Sequence, residues 1–280
     1  MAGKLSTKQR LLTHAVLIIG SLMFMAPLFW MISTSLKTEA QTQKTDTFKE
    51  MFIPDPVRLK NYPEAMKYIN LFTCFKNSLH VTLLSILGTI LSCTIVAYSF
   101  ARLRWPGRDV IFVIVLATMM LPPQVTMVPM FIIFSKLGFV NTLKPLWLPM
   151  FFGTAFFIFL LRQFFLTIPK DIEDAARIDG CGYFRTFAQI MLPLVKPALL
   201  SIIIFQFMFT WNDFIGPLIY IQSRDLMTLT LGLQAFHYQH QTQWHFLMAA
   251  SVMMTIPVIF LFFCLQRYFI EGVTLTGLKG

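Results

Sequence analysis

Six stretches of this 280-residue chain are apolar almost without interruption. Residues 11–36, 77–101, 110–135, 145–161 and 246–266 contain no Asp, Glu, Lys or Arg, and residues 197–222 contain only Asp213. The runs are continuous, whereas the strands of a membrane barrel alternate apolar and polar positions. A helix needs about 20 mainly apolar residues to cross the hydrocarbon, and a spanning backbone without water must satisfy itself internally. The pattern predicts an all-α, polytopic membrane protein with six transmembrane helices. They fall at about 11–34, 77–101, 110–135, 143–162, 197–221 and 246–267, within a membrane domain covering 11–268. The first run follows Lys4, Lys8 and Arg10 but is longer than the roughly 7–15 apolar residues of a signal peptide. It reads as a retained span.

Between the spans the polar positions fall into distinct loops. Residues 1–10 form a short N-terminus, 35–76 a long excursion, 163–196 a second long loop and 269–280 a tail. Within the first excursion, residues 61–69 (NYPEAMKYI) suit a short interfacial helix. Lys and Arg concentrate in cytoplasmic loops. With both termini inside, thirteen of the 23 cations lie on the inner side, five of them from Arg162 to Lys196. The two short outer loops hold only Lys136, Lys144 and Arg224.

Composition agrees with this picture. The chain is 56% apolar and 13% charged, with a net charge of +10. Soluble domains run near 45–50% apolar and about 25% charged, so a soluble enzyme and a disordered chain are excluded. The positive balance is assigned to cytoplasmic loops and lipid headgroups, not to nucleic acid. Cys74, Cys93, Cys181 and Cys264 form no CxxC or Cys/His cluster and read as packing residues. His237, His240 and His245 occupy one loop without a carboxylate or cysteine, a poor metal set.

The loop at 168–197, IPKDIEDAARIDGCGYFRTFAQIMLPLVKP, carries the most information. Pro169 suits the first turn of a helix, and Asp171, Glu173 and Asp174 favour its positive end. Gly180 ends that helix as a left-handed residue would. A second helix follows over 183–191, with Pro193 and Pro197 marking the turn into the fifth span. Ala175 and Ala176 leave the first helix slim, and Ile178, Phe184 and Phe187 supply apolar anchors. Such a segment is either an amphipathic linker on the membrane or a docking element.

The pattern resembles the EAA loop of ABC-importer permeases: E-A-A, three residues, Gly, nine residues, then I-x-L-P. Here Glu173 or Asp174 precedes Ala175 and Ala176, Gly180 follows after three residues, and Ile190 to Pro193 complete it. The departure is EDAA, which leaves the acid's register open between Glu173 and Asp174. EDAARIDG, the WND at residues 211–213 and the tail GVTLTGLKG at 272–280 are similar to the carbohydrate, maltose-type branch. LPPQVTMVPMF at 121–131 resembles the third span of such permeases.

The resemblance implies a bacterial inner-membrane permease subunit of an importer that takes up a sugar or related carbohydrate. Its partners would be a second homologous permease, two cytoplasmic ATPases, an extracytoplasmic binding protein and membrane lipid. Glu173, Asp174, Ala175, Ala176, Ile178, Gly180 and Phe184 would couple to an ATPase. The tail, including Gly277 and Lys279, would reach between the ATPases, and residues 233–243 would probe the binding protein. ATP and Mg would sit on the partner, since this chain has no G-x-x-x-x-G-K-[ST]. The chain itself would hold no cofactor and catalyse no reaction.

Asp213, beside Asn212, stands alone as a charge within a span, where it serves as a pathway lining or a hydrogen-bonded hinge. An ion-coupled transporter is the alternative class, but it calls for more ionisable sites or a repeat. Glycerol phosphate is an alternative cargo for the same architecture.

Overall fold

A computed structural model describes residues 6–44, 47–237 and 242–277, with side chains up to Gln266 apart from Phe48 and Leu265. Among them every regular element is helical, and the one strand-like feature is an isolated bridge between His237 and Thr242. In chain order the helices are α1 (Thr7–Ser35), α2 (Glu39–Gln43), α3 (Phe48–Phe52), α4 (Asn61–Tyr68) and α5 (Leu71–Arg102). Then come α6 (Arg108–Thr118), α7 (Pro123–Lys136), α8 (Lys144–Trp147), a 3₁₀ turn (Leu148–Phe152), α9 (Ala155–Thr167) and α10 (Lys170–Ile178). They are followed by α11 (Tyr183–Arg185), a π segment (Thr186–Met191), α12 (Leu192–Leu194), α13 (Lys196–Trp211) and α14 (Ile215–Tyr220). A 3₁₀ turn (Arg224–Leu226), α15 (Leu229–Leu233), a 3₁₀ turn (Gln234–Phe236) and α16 (Trp244–Gly277) complete the chain.

Four helical runs are long and apolar enough to cross a membrane unaided: α1, α5, Lys144–Thr167 and Trp244–Cys264. Two more qualify only as bent pairs, which departs from the six uninterrupted helices expected. The run expected at 110–135 breaks between α6 and α7 with a bend of 97°. Pro122 and Pro123 explain the break, since neither can donate an N–H and the residue before a proline is pushed out of the helical region. Pro122 accordingly caps α7 and Pro123 starts it. The other pair joins Tyr183–Leu194 to α13 at 75°. The fifth expected span also ends its continuous helix at Trp211, and α14 takes over after a three-residue break.

The chain divides into two compact units, 1–71 with 233–256 and 72–232 with 257–280. In the first, α1 opens with a reciprocal cap: Gln9 N–H donates to the Ser6 hydroxyl and Ser6 N–H to the Gln9 side chain. Its apolar side chains from Leu11 to Phe29 stay exposed, and only Ser33, Thr34 and Ser35 are buried. That is how a helix solvated by lipid or a neighbouring span should look. The last turn of α1 leaves carbonyls without intrahelical donors. Asn61, fully buried at the start of α4, supplies two: its Nδ2 donates to Ser35 O at 2.8 Å and Lys37 O at 2.7 Å. Lys37 is itself buried and donates through Nζ to Met51 O at 2.7 Å. Burial pulls its ammonium below the ordinary lysine pKa.

The second unit has its core where α5, α6, α9, the π segment and α13 meet. Cys93, Ala97, Phe100 and Ala101 share one face of α5. They meet Phe112 of α6, Phe157, Leu161 and Phe165 of α9, Phe187 and Met191 of the π segment, and Ala198 and Ile202 of α13. Small residues at 93, 97, 101 and 198 let the backbones approach closely, as in other spanning bundles. At the opposite end of α5, Asn77 donates to Asp225 O and Met227 O, and Ser78 accepts from Leu229 N–H. Asn141, at positive φ, accepts the N–H groups of Gln222 and Ser223.

Replacing Asn61 by Asp removes the donor to two buried carbonyls and substitutes acceptors. The expected cost is at least the 1–3 kcal/mol of an unmet buried group. A lowered melting temperature in detergent, with faster proteolysis within 36–60, checks it.

Candidate functional site

The loop between α9 and α13 is built by ordinary helix chemistry. Pro169 sits just outside α10, at its N-cap. Asp171 and Glu173 occupy the first turn and Arg177 the last, matching the helix dipole at both ends. Gly180 adopts φ +79°. Its N–H donates to Arg177 O at 3.0 Å, and Cys181 N–H donates to Ala176 O at 2.9 Å. This is the Schellman closure, in which a left-handed residue lets two orphan carbonyls find donors. The chain then enters α11, where the Arg177 guanidinium lies 5.2 Å from the Tyr183 ring centroid.

α10 has two chemically different faces. Asp174, Ala175, Ile178 and Gly180 point outward, and Phe184 joins them from α11. Ile178 is 87% exposed and Phe184 79%, two solvent-facing apolar side chains outside the core formed by the described residues. Glu173 and Ala176 are turned inward and buried. The expectation that both would belong to the outward contact is corrected: Glu173 faces Arg102, and Ala176 sits beneath the helix. Of the two acids whose register the sequence left open, Asp174 is the outward one. Phe187, expected as an anchor beside Phe184, is part of the core against Tyr98, with ring centroids 5.1 Å apart.

Beneath α10 lies an ionic joint that sequence reasoning missed. Arg102, the last residue of α5, has a side chain only 3% exposed, and Glu173 only 8%. Arg102 Nη1 lies 3.9 Å from Glu173 Oε2. Arg102 Nη2 donates to Phe165 O at 2.5 Å and also to Ile168 O, the last carbonyls of α9. Removing one partner of a buried pair costs about 3–5 kcal/mol, because the other charge is stranded. Arg102 had counted only as one more cytoplasmic cation. The available signal was an arginine following an uncharged span without a spacer.

The second candidate lies between α13 and α14. Asp213 falls in the non-helical break, not midway along a continuous span. Its Oδ1 accepts the Gly216 N–H at 3.1 Å and caps α14, and its carbonyl accepts from the Thr230 hydroxyl at 2.5 Å. A Cβ at Gly216 would come within 2.4 Å of Asp213 Oδ2, so glycine is required for this close approach. Asp213 also lines a cavity of about 350 Å³ with Thr154, Phe156, Gln206, Phe209 and Thr210. Gln206, buried, donates to the Thr210 hydroxyl at 2.7 Å and accepts from Thr89 at 3.2 Å. Asn212 does not join them: it is exposed and donates to Met208 O of its own helix. Asp213 thus lies at the break and on the cavity wall, while Asn212 bonds only within its own helix.

Other expected positions fall elsewhere. Gly277 ends α16, whereas Lys279, Lys4 and His240 lie outside the described residues. His237 pairs with Thr242 at 3.2 Å, and His245 is buried against Phe246.

The family described as binding-protein-dependent transport system inner membrane component matches residues 87–274. The arabinooligosaccharides transport system permease protein AraQ of Bacillus subtilis is 34% identical over 261 residues, covering 93% of this chain and 92% of that protein. The melibiose/raffinose/stachyose import permease protein MelC of the same organism is 30% identical over 285 residues, covering both chains completely. Among solved structures, a chain from a bacterial ABC transporter involved in the import of the acidic polysaccharide alginate superposes with a TM-score of 0.80. That match covers 95% of this chain and 99% of the other at 24% identity, and it supports the fold.

Gly180→Val tests the local geometry. A Cβ at Gly180 meets nothing within 4 Å, so the whole penalty is left-handed backbone strain, about 1–2 kcal/mol. Hydrogen exchange at the Cys181 amide should accelerate roughly tenfold, with insertion into the membrane unchanged.

Proposed function

The chain belongs to the family of binding-protein-dependent transport system inner membrane components, and from that premise we propose how it works as the permease of a carbohydrate importer. It forms half of the translocation pathway, beside a second homologous permease. Two ATPases on the cytoplasmic side hold ATP and Mg, and a binding protein outside delivers the cargo. Both termini are cytoplasmic, in keeping with the Lys and Arg bias of the short loops. The cargo is an oligosaccharide, the class named for the AraQ and MelC relatives. The ion-coupled alternative gives way to the family, and the Asp213 carboxylate is engaged as a helix cap.

The observation that carries the coupling reading is the split character of α10. Its outward face is slim at Ala175 and Gly180 and exposes the apolar Ile178 and Phe184 beside the charged Asp174. Its inward face is locked to the bundle through Glu173 and Ala176. An ATPase gripping the outward face displaces a rigid element already seated on the spanning helices. ATP-driven closure of the ATPases then biases the permease pair between inward- and outward-facing states, a rigid-body switch. The tail from residue 272, including Gly277 and Lys279, extends this contact between the ATPases. Asp213 and its cavity line the pathway at the break in the fifth span.

Ile178→Asp places a charge in the apolar contact without touching the core. In vesicles carrying the complete importer, ATPase subunits should wash off the membrane and ATP-driven uptake should fall at least tenfold. Full uptake with the ATPases retained would remove α10 from the docking role.

A further inference from the structure

The buried group beneath α10 does more than neutralise a charge. Arg102 ends α5, donates to the last carbonyls of α9 at Phe165 and Ile168, and faces Glu173 of α10. One guanidinium therefore meets the ends of two spanning helices and the first turns of the loop helix. The position suits a cation, since helix C-termini carry partial negative charge. It suits arginine in particular, because a lysine's single nitrogen cannot serve two carbonyls and a carboxylate from one rigid plane.

The joint is also open. A charge-assisted N–H···O bond normally closes at about 2.7–2.9 Å. Here the pair stands at 3.9 Å, and both Arg102 Nε and Glu173 Oε1 are buried without a hydrogen-bond partner. Each side thus holds one unused polar atom in a site closed to water. A movement of α10 by about 1 Å toward α5 and α9 brings Nη1 and Oε2 to hydrogen-bond distance, a single bond, since Nη2 is already taken by the two carbonyls.

We propose that Arg102 is the positioning residue that keys α10 to α5 and α9, so that loading the outward face of α10 closes the Arg102–Glu173 contact and moves the three elements as one body. This rests on the reading of α10 as the ATPase-docking helix. Arg102 touches neither nucleotide nor cargo; it acts through Glu173.

The test uses the complete importer in nanodiscs, with exposed cysteines replaced by serine and spin labels at Leu166→Cys in α9 and Asp179→Cys at the end of α10. Distances are read without nucleotide and after trapping with ATP and vanadate. With Arg102 and Glu173 intact, the distribution should be narrow in both states and shorten on trapping. Arg102→Lys keeps the charge but cannot hold both carbonyls and the carboxylate from one plane; it and Glu173→Gln should broaden the distribution about twofold and abolish the shortening while the ATPases remain bound. The neutral double variant Arg102→Met with Glu173→Gln should behave like Arg102→Lys, although it strands no charge.

An Arg102→Lys importer with the unaltered width and shift would overturn the proposal, as would recovery of both in the neutral double. If Arg102→Lys and the double both fail to insert, the pair is a folding requirement and the positioning role falls. Ile178→Asp separates this from docking: it should release the ATPases and leave the nucleotide-free distribution narrow. ATPases that stay bound to Ile178→Asp would refute the docking reading while leaving the behaviour of the joint measurable on its own.

Discussion

A backbone group taken out of water must find its partner within the protein, and helix ends are where a membrane chain meets that constraint. Most of the specific polar contacts here answer it. Asn61 supplies donors to the end of α1, and Arg102 does the same for α9. Asp213 accepts an N–H at the start of α14, and Asn141 accepts two from the segment after it. In each case a side chain distant in sequence or across a break closes what the helix leaves open. The apolar surface then decides only that the helices cluster, and these polar clasps decide where each one stops.

The loop helix shows the same economy put to use. Its N-terminal end is set by Pro169 and a buried ion pair, its C-terminal end by the Gly180 closure. With both ends settled from within, nothing on the outward face is needed for folding. Asp174, Ala175, Ile178 and Phe184 are therefore free to carry a partner, and their exposure costs the chain no internal contact. The π segment that follows, Thr186–Met191, buries Phe187 and Met191 in the core and so roots the loop on its far side as well.

Much of this was legible in the sequence. Charge-free runs located the apolar helices because lipid admits few alternatives. Gly180 was legible because a left-handed closure leaves a glycine after a short polar helix. A short helix appeared at Asn61–Tyr68, where one was expected. What escaped was directional or tertiary. Three prolines were visible in the third run, but the 97° bend depends on what surrounds the freed carbonyls. The acid register at Glu173 and Asp174 was ambiguous because adjacent residues on a helix point about 100° apart. Only the position of Arg102, 71 residues earlier in the chain, selects which one turns inward. Asp213 was conspicuous as a charge in a span, yet its role as a cap requires the break after Trp211, which no periodicity signals.

The arrangement around α10 also explains why stiffness belongs in this loop. On the proposed docking role, α10 is a lever of nine residues, about 13 Å long. If it were tethered only by flexible linkers, a push on Ile178 would be absorbed by the linkers and not passed on. Here the push meets Ala176 and Glu173 directly behind the outward face. Behind them lie Tyr98 and Phe165, packed ring against ring at 5.6 Å, in a core of small residues and aromatics. Close-packed interiors compress little and pass displacement on. A contact on one short helix is thereby shared among α5, α9 and α13, which is what a rigid-body switch requires of the element that receives the force.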